Sequence, residues 1–389
     1  MDFELTESAR AIRDGLRELI ARFDVDYWRE CEAKHAFPEE YFAALAAGGW
    51  LGIAIPKEYG GAGLGMVEMA LAVDELARGG GGTVPLFIYN LSPVFGAMPI
   101  TRHGTEEQKA RWLPGLASGE IEFSMALTEP GAGTNTLATE TTARRKGDGW
   151  VLSGQKVFIS GVARAKGMLV IARTSPLEPQ QPGTEGMTTF LIDPHHELVS
   201  FQPIEKVGTN LFDTNFVFFD DVPLPTDALL GEEGNGWQCI LDTLNPERIV
   251  TTAGAVGAGD LVIELAGRYA RERVVFGRPI ASYQGLQFPL ARAKAELEMA
   301  RLANLKAAWT FDRGQNPGSL ANMAKLVGTE WACIAADQAM QTLGGYGYTA
   351  DYHIERYWRD LRLLKIAPVT QEMTLNYIAQ HALNLPRSY

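Results

Sequence analysis

Apolar residues recur along the first third of the chain at helical spacing. Leu5, Ile12, Leu16, Leu19 and Ile20 fall on one face, and "PEEYFAALAAGGW" and "MVEMALAVDELAR" repeat the pattern. "HGTEEQKARWLP" sets Thr105 three residues before Gln108, the spacing of a capping box, and predicts a helix that stops near Pro114. Short β-rich runs between turn residues follow. "GWVLSGQKVFIS", "GMLVIART", "MTTFLID" and "NFVFFDDV" together predict a small antiparallel sheet or barrel. Beyond "GEEGNGW" the helical spacing returns over about 236–273, 284–313, 317–343 and 371–384, with short connections that predict a bundle. The expected fold is mainly α with a central β-domain. A helical N-terminal domain covers residues 1–121, a middle β-barrel or sandwich 122–232, and a C-terminal four-helix bundle 233–389.

Composition narrows the function. The 389 residues, 46% apolar and 21% charged, suit a globular chain with a large core. The net charge of −12, with no long single-sign run, argues against a nucleic-acid or anionic-membrane surface. The densest basic cluster, Arg144-Arg145-Lys146, precedes Gly147-Asp148-Gly149 and reads as a hairpin tip. The first residues are rich in acids and resemble neither a signal nor a transit peptide, and no run approaches about 18 apolar residues. A cytoplasmic protein without a membrane span is expected. Cys31, Cys239 and Cys333 form no CxxC, which favours a reducing compartment over disulfides or zinc. His195-His196 reads as a loop.

No GxGxxG or GxxxxGK[ST] fingerprint occurs, so a dinucleotide would not bind through a Rossmann unit. Gly254, Gly257 and Gly259 lie within a predicted helix and suit close helix packing. Two other glycine clusters suit an anion better. "LTEPGAGTN" leaves a β-run for a polar turn with Thr128 and Thr134, and "QTLGGYGY" ends a helix. Each can equally be an ordinary turn or helix cap.

Six segments together resemble the acyl-CoA dehydrogenase family: "YFAALAAGGWLGIAIPKEYGGAG", "HGTEEQKARWLPGLASGE", "MALTEPGAGTN", "RERVVFGRPIASYQGLQ", "QTLGGYGY" and "RYWRDLRL". They occur in that family's order from about residue 40 to 370. The resemblance implies an FAD flavoprotein that assembles as a homotetramer, a dimer of dimers, with the adenine end of FAD reaching a neighbouring subunit. It implies α,β-dehydrogenation of an acyl-CoA thioester: a base takes the α-proton, hydride leaves to flavin N5, and electrons pass to an electron-transfer flavoprotein. Met125, Leu127 and Thr128 match the strand edge that bonds the flavin pyrimidine. Thr134 matches a hydroxyl near the pyrophosphate and the CoA arm. Phe158, Ile159 and Ser160 stand where relatives usually carry Trp-Ile-Thr, so the stacking face and the hydroxyl donor are kept. Arg273, Phe276 and Gln284 match residues that hold the adenine side from the partner chain. Gln341, Gly344 and Gly345 match the backbone that closes around it, and Thr370 and Glu372 match further flavin contacts.

The same resemblance raises a difficulty over the base. Much of the family carries glutamate in "YEGT", but here the matching letters are Ala367-Pro368-Val369-Thr370, and proline cannot ionise. A branch resembling isovaleryl- and long-chain-type enzymes carries its glutamate on an earlier helix, before an arginine, and "LNPERIV" places Glu247 and Arg248 there. Glu247 is therefore the expected base, against a surface glutamate paired with an arginine; Glu372 is the rival. Pro246 is expected to kink the helix beside it. Asn245 replaces an aspartate common among relatives that grip the CoA arm, so Asn245 and Arg248 join Thr134 as candidate substrate contacts. The thioester carbonyl needs donors, and the backbone donor falls at Pro368-Val369, where proline lacks an N–H. Two other functions stay open: dehydrogenation of an acyl or aminoacyl group tethered to a carrier protein, and a non-catalytic FAD-binding subunit.

Overall fold

The computed structural model describes residues 6–176 and 183–388, so Leu5 lies outside the described residues. Among the described residues seven α-helices come first: α1 Glu7–Ile20, α2 Val25–Lys34, α3 Glu39–Ala47, α4 Met66–Leu76, α5 Val84–Tyr89, α6 Met98–His103 and α7 Glu106–Ser118. Their starts follow local chemistry. Thr6 and Asp24 accept the N–H groups of Ala9 and Tyr27 at 3.1 and 3.0 Å. The predicted capping box is present, with Gln108 N–H donating to Thr105 at 3.2 Å and Thr105 N–H to Gln108 at 3.0 Å. Pro114 does not stop α7, which runs four residues further. Pro114 and Ala110, whose carbonyl cannot accept from a proline, are both exposed, so this face of the helix is open to solvent.

The middle region holds β1 Phe123–Ala126, β2 Thr142–Lys146, β3 Gly149–Ser160, β4 Gly167–Arg173, β5 Met187–Ile192, β6 Val199–Pro203, β7 Thr214–Leu224 and β8 Leu229–Leu230. They form one eight-stranded sheet in the order β6-β7-β3-β2-β4-β5-β8, with β1 beside β4. The sheet is mixed rather than antiparallel, because β4 runs parallel to both β1 and β2. β3 returns the chain between β2 and β4, and the long connection from β1 to β2 precedes both, which permits that geometry. Arg144 to Lys146 do sit at the tip of the β2–β3 hairpin. Trp150, Leu152, Met168, Val170, Phe190 and Val217 form its core.

The C-terminal region contains α8 Gly236–Glu272, a hairpin of β9 Val274–Val275 and β10 Arg278–Pro279, then α9 Gln284–Asp312, α10 Gly318–Leu343, α11 Ile354–Leu363 and α12 Gln371–Ala382. The four long segments match the sequence reading, and α11 is additional. Pro246 does not divide α8. The glycines of α8 act as packing residues, as expected: a Cβ at Gly259 would meet Leu297 of α9 and Ala332 of α10. A Cβ at Gly328 of α10 would meet Thr252 and Val256, so α8 and α10 run side by side in the same direction. Among the described residues two stretches suit a membrane by length and apolarity, Val84–His103 and Gly236–Glu272, but 78% of each apolar window is buried in the protein. Their apolarity builds the core, where Ile249, Val250 and Val256 meet Leu16, Leu45, Met69 and Leu297.

Candidate active site

The turn after β1 is held by strand β3. Val157 N–H donates to the Thr128 carbonyl at 2.9 Å. Lys156 Nζ donates to the Leu127 carbonyl at 3.0 Å and to Glu129 Oε1 at 2.8 Å. Met125, Leu127 and Thr128 thus lie along one half-buried edge. The β3–β7 register slips between Lys156 and Ile159, and Phe158 occupies that bulge with φ 61° and 65% of its surface exposed. A bulky residue at positive φ is uncommon, and such backbone collects at functional sites. Ile159 is buried, and the Ser160 hydroxyl pairs with Thr214 at 3.1 Å. Thr134 is exposed on the turn, and a Cβ on Gly131 or Gly133 would meet only open space. Bare backbone facing a void is what a phosphate needs for close approach.

The second glycine cluster closes another cleft. Arg273, Gln341, Gly344 and Gly345 line a cavity of about 500 Å³ with Tyr269 and Tyr346. Gly344 caps α10 at φ 61°, and neither it nor Gly345 has an atom within reach of an added Cβ. Phe276 and Gln284 do not line this cleft. Phe276 sits on the β9–β10 hairpin at φ 53° and is 94% exposed; Gln284 begins α9 and is exposed as well.

The two candidate bases have opposite environments. Glu247 is buried on α8, only 9% exposed, so it is not a surface glutamate. Burial pushes its carboxyl up to about 8, against the pull of Arg248 and Lys325. Glu372 lies exposed in the first turn of α12, and hydrogen bonds from its own N–H and from Thr370 hold it below the usual range. Thr370 caps that helix, accepting from Met373 N–H at 3.3 Å. Arg248 donates to the Leu244 carbonyl at 3.0 Å and to Asn245 Oδ1 at 3.3 Å, which orients all three on one helix. Near this level Asn90 donates to Thr251 at 3.1 Å, and Leu91 lies against Gly161, just beyond Ser160. The segment Asn90–Ala97 is a π-helical turn, so the wall between α8 and the end of β3 is irregular backbone.

Sequence reasoning missed Lys325 and the Lys156–Glu129 pair. The available signal was lysine within an otherwise small and apolar stretch, "ANMAKLVG". Among the described residues no acidic, cysteine and histidine cluster suits a metal. The exposed ring of Phe158, the open glycines of both clusters and the arginine-lined cleft fit a flavin dinucleotide.

Three family models match in succession: the acyl-CoA dehydrogenase N-terminal domain over 6–120, middle domain over 124–222 and C-terminal domain over 234–383. FadE12 of Mycobacterium tuberculosis, described as an acyl-CoA dehydrogenase, is 39% identical over 386 residues, covering 99% of this chain and 98% of its own. A glutaryl-CoA dehydrogenase from Mycobacterium smegmatis in complex with FADH2 superposes with a TM-score of 0.90 at 28% identity, covering 99% and 96%. The prolyl acyl carrier protein oxidase AnaB gives 0.92 at 28%, covering 98% and 100%. The chain belongs to the acyl-CoA dehydrogenase family, FAD-dependent oxidoreductases that act on the CH–CH bond of acyl thioesters.

Proposed function

We propose that Glu247 removes the α-proton of a thioester-bound acyl group in this enzyme. One observation carries the reading: of the two carboxyls considered, only Glu247 is buried, and its proton affinity sits near working pH. Bound FAD supplies the acceptor for the β-hydrogen. Met125, Leu127 and Thr128 would hold the flavin pyrimidine edge, Phe158 and Ser160 its ring, Thr134, Arg273 and Gln341 the phosphate and adenine side, with Gly344 and Gly345 giving it room. Thr370 and Glu372 would contact its rim. Asn245, Arg248 and Thr134 would meet the carrier arm of the substrate.

Glu247→Gln should retain yellow flavin and bind acyl-CoA, yet bleach about 10²–10⁴-fold more slowly under anaerobic conditions. Normal bleaching by that variant defeats the assignment. With Glu247 near 8, kcat/KM should rise about tenfold per pH unit from pH 6 and level off above pH 8.

Free CoA thioesters are the substrates this reading favours, with an electron-transfer flavoprotein as acceptor, in the cytoplasm and in fatty-acid metabolism. A second reading, a carrier-protein-tethered acyl group, draws support from the likeness to AnaB and from Asn245. An anaerobic bleaching screen of acyl-CoA and carrier-bound thioesters separates the two. Exposed Phe276, with Val274 and Phe288 exposed as well, favours burial against another copy in a homotetramer. Light scattering of the holoenzyme tests that assembly.

A further inference from the structure

Lys325 lies on α10, fully buried, and donates to the Val369 carbonyl at 2.5 Å. Val369 follows Pro368, in the turn where the resemblance leads one to expect a glutamate and finds none. The helix register brings Lys325 to the level of the candidate base. Gly328 faces Thr252 and Val256, and the two helices run the same way; one turn back on each, Lys325 stands beside Glu247 and Arg248. The charges facing one another here come from three elements. Arg248 on α8 and Lys325 on α10 act on Glu247; Cys333 on α10 and Glu372 on α12 also act on Lys325; Tyr377 on α12 acts on Arg248.

We propose that Lys325 is a positioning residue for proton abstraction: it ties the Pro368–Val369 turn to α10 and sets an ammonium beside Glu247. The inference rests on Glu247 as the base. A turn without an acid still needs an anchor, and a carboxyl stripped of water needs a cation that favours its ionised form. Lys325 does both from one atom. Burial and the charge of Arg248 together lower its own proton affinity to about 8, with Glu247 opposing both.

The test uses the holoenzyme with Lys325→Met, Lys325→Gln and Lys325→Arg. Glutamine keeps a donor for Val369 but loses the charge, so it covers the case in which methionine does not fold. Two readouts are followed across pH: the kcat/KM profile, and the infrared band of the protonated carboxyl that disappears in Glu247→Gln. Both midpoints should move up by about one pH unit in Lys325→Gln, with about a tenfold loss of kcat/KM at pH 7, and return in Lys325→Arg. Unmoved midpoints in Lys325→Gln overturn the proposal, even if activity falls. The infrared midpoint needs no turnover. A shifted band in Lys325→Gln together with normal bleaching by Glu247→Gln would therefore keep the charge coupling and reject the base.

Discussion

In the β-domain, buried Lys156 donates to Glu129 at 2.8 Å; in the helical bundle, equally buried Lys325 spends its bond on a carbonyl. Glu129 also accepts Glu140 N–H at 2.7 Å and Thr141 N–H at 3.1 Å. Burial alone would raise it, but Lys156 and these N–H groups outweigh burial and leave its carboxyl below the usual range. Among the described residues no hydrogen bond ends on the Glu247 carboxyl, and burial prevails there. Two buried lysine–glutamate neighbourhoods thus have opposite outcomes. A glutamate saturated with donors is locked as an anion and serves as a pin, here for the turn at Leu127–Thr128. A glutamate left without donors has its proton affinity raised toward working pH, which makes its ionised form the stronger base.

Breaking the pin should have the largest effect on stability. Glu129→Ala leaves a buried ammonium unpaired and should cost about 3–5 kcal/mol in denaturant unfolding, with flavin lost on gel filtration. Pairing it with Lys156→Met should recover part of that loss, since the uncompensated charge is gone. If Glu129→Ala unfolds like wild type and keeps its flavin, the pair is not holding the turn.

How far the sequence foretold this contrast depends on distance along the chain. Thr105 and Gln108 are three residues apart, and the alternating runs of β3 to β5 are local, so both were readable. Lys156 and Glu129 lie 27 residues apart, and Lys325 and Val369 44, and no spacing rule joins them. Pro114 was misjudged because sequence does not say that Ala110 faces water. The helix α11 escaped for a related reason. In "IERYWRDLRL" no local pattern marks which charges are buried, yet Arg356 and Asp360 are, with Asp360 accepting from Thr83 and Thr209. Glu247 itself was found through resemblance; its burial came only with the fold.

The other half of the comparison predicts a smaller, pH-dependent effect. Glu247 has a folded-state affinity near 8 against an ordinary 4.5, so folding favours its protonated form. Relative to Glu247→Gln, wild type keeps its full stability below about pH 4.5 and loses it as pH climbs through 8. At pH 9 the glutamine variant should be the more stable, by on the order of a few kcal/mol. Denaturant unfolding from pH 5.5 to 9 checks this, and parallel curves for the two proteins would show that Glu247 ionises as freely as it does in water.

The smallest expected effect belongs to Glu372, and it is informative because it is small. This carboxyl is exposed, already ionised at neutral pH, and engaged with the first turn of its own helix. An anion held that way is a poor proton acceptor, since its low affinity must be overcome before the α-proton moves. Glu372→Gln should therefore bleach within about twofold of wild type and leave the acid limb of kcat/KM in place. A large fall in bleaching with a displaced limb would mean that the exposed carboxyl turns inward when substrate binds. The burial contrast between α8 and α12 would then describe only the resting enzyme, and Glu247 would join Glu129 as a structural acid.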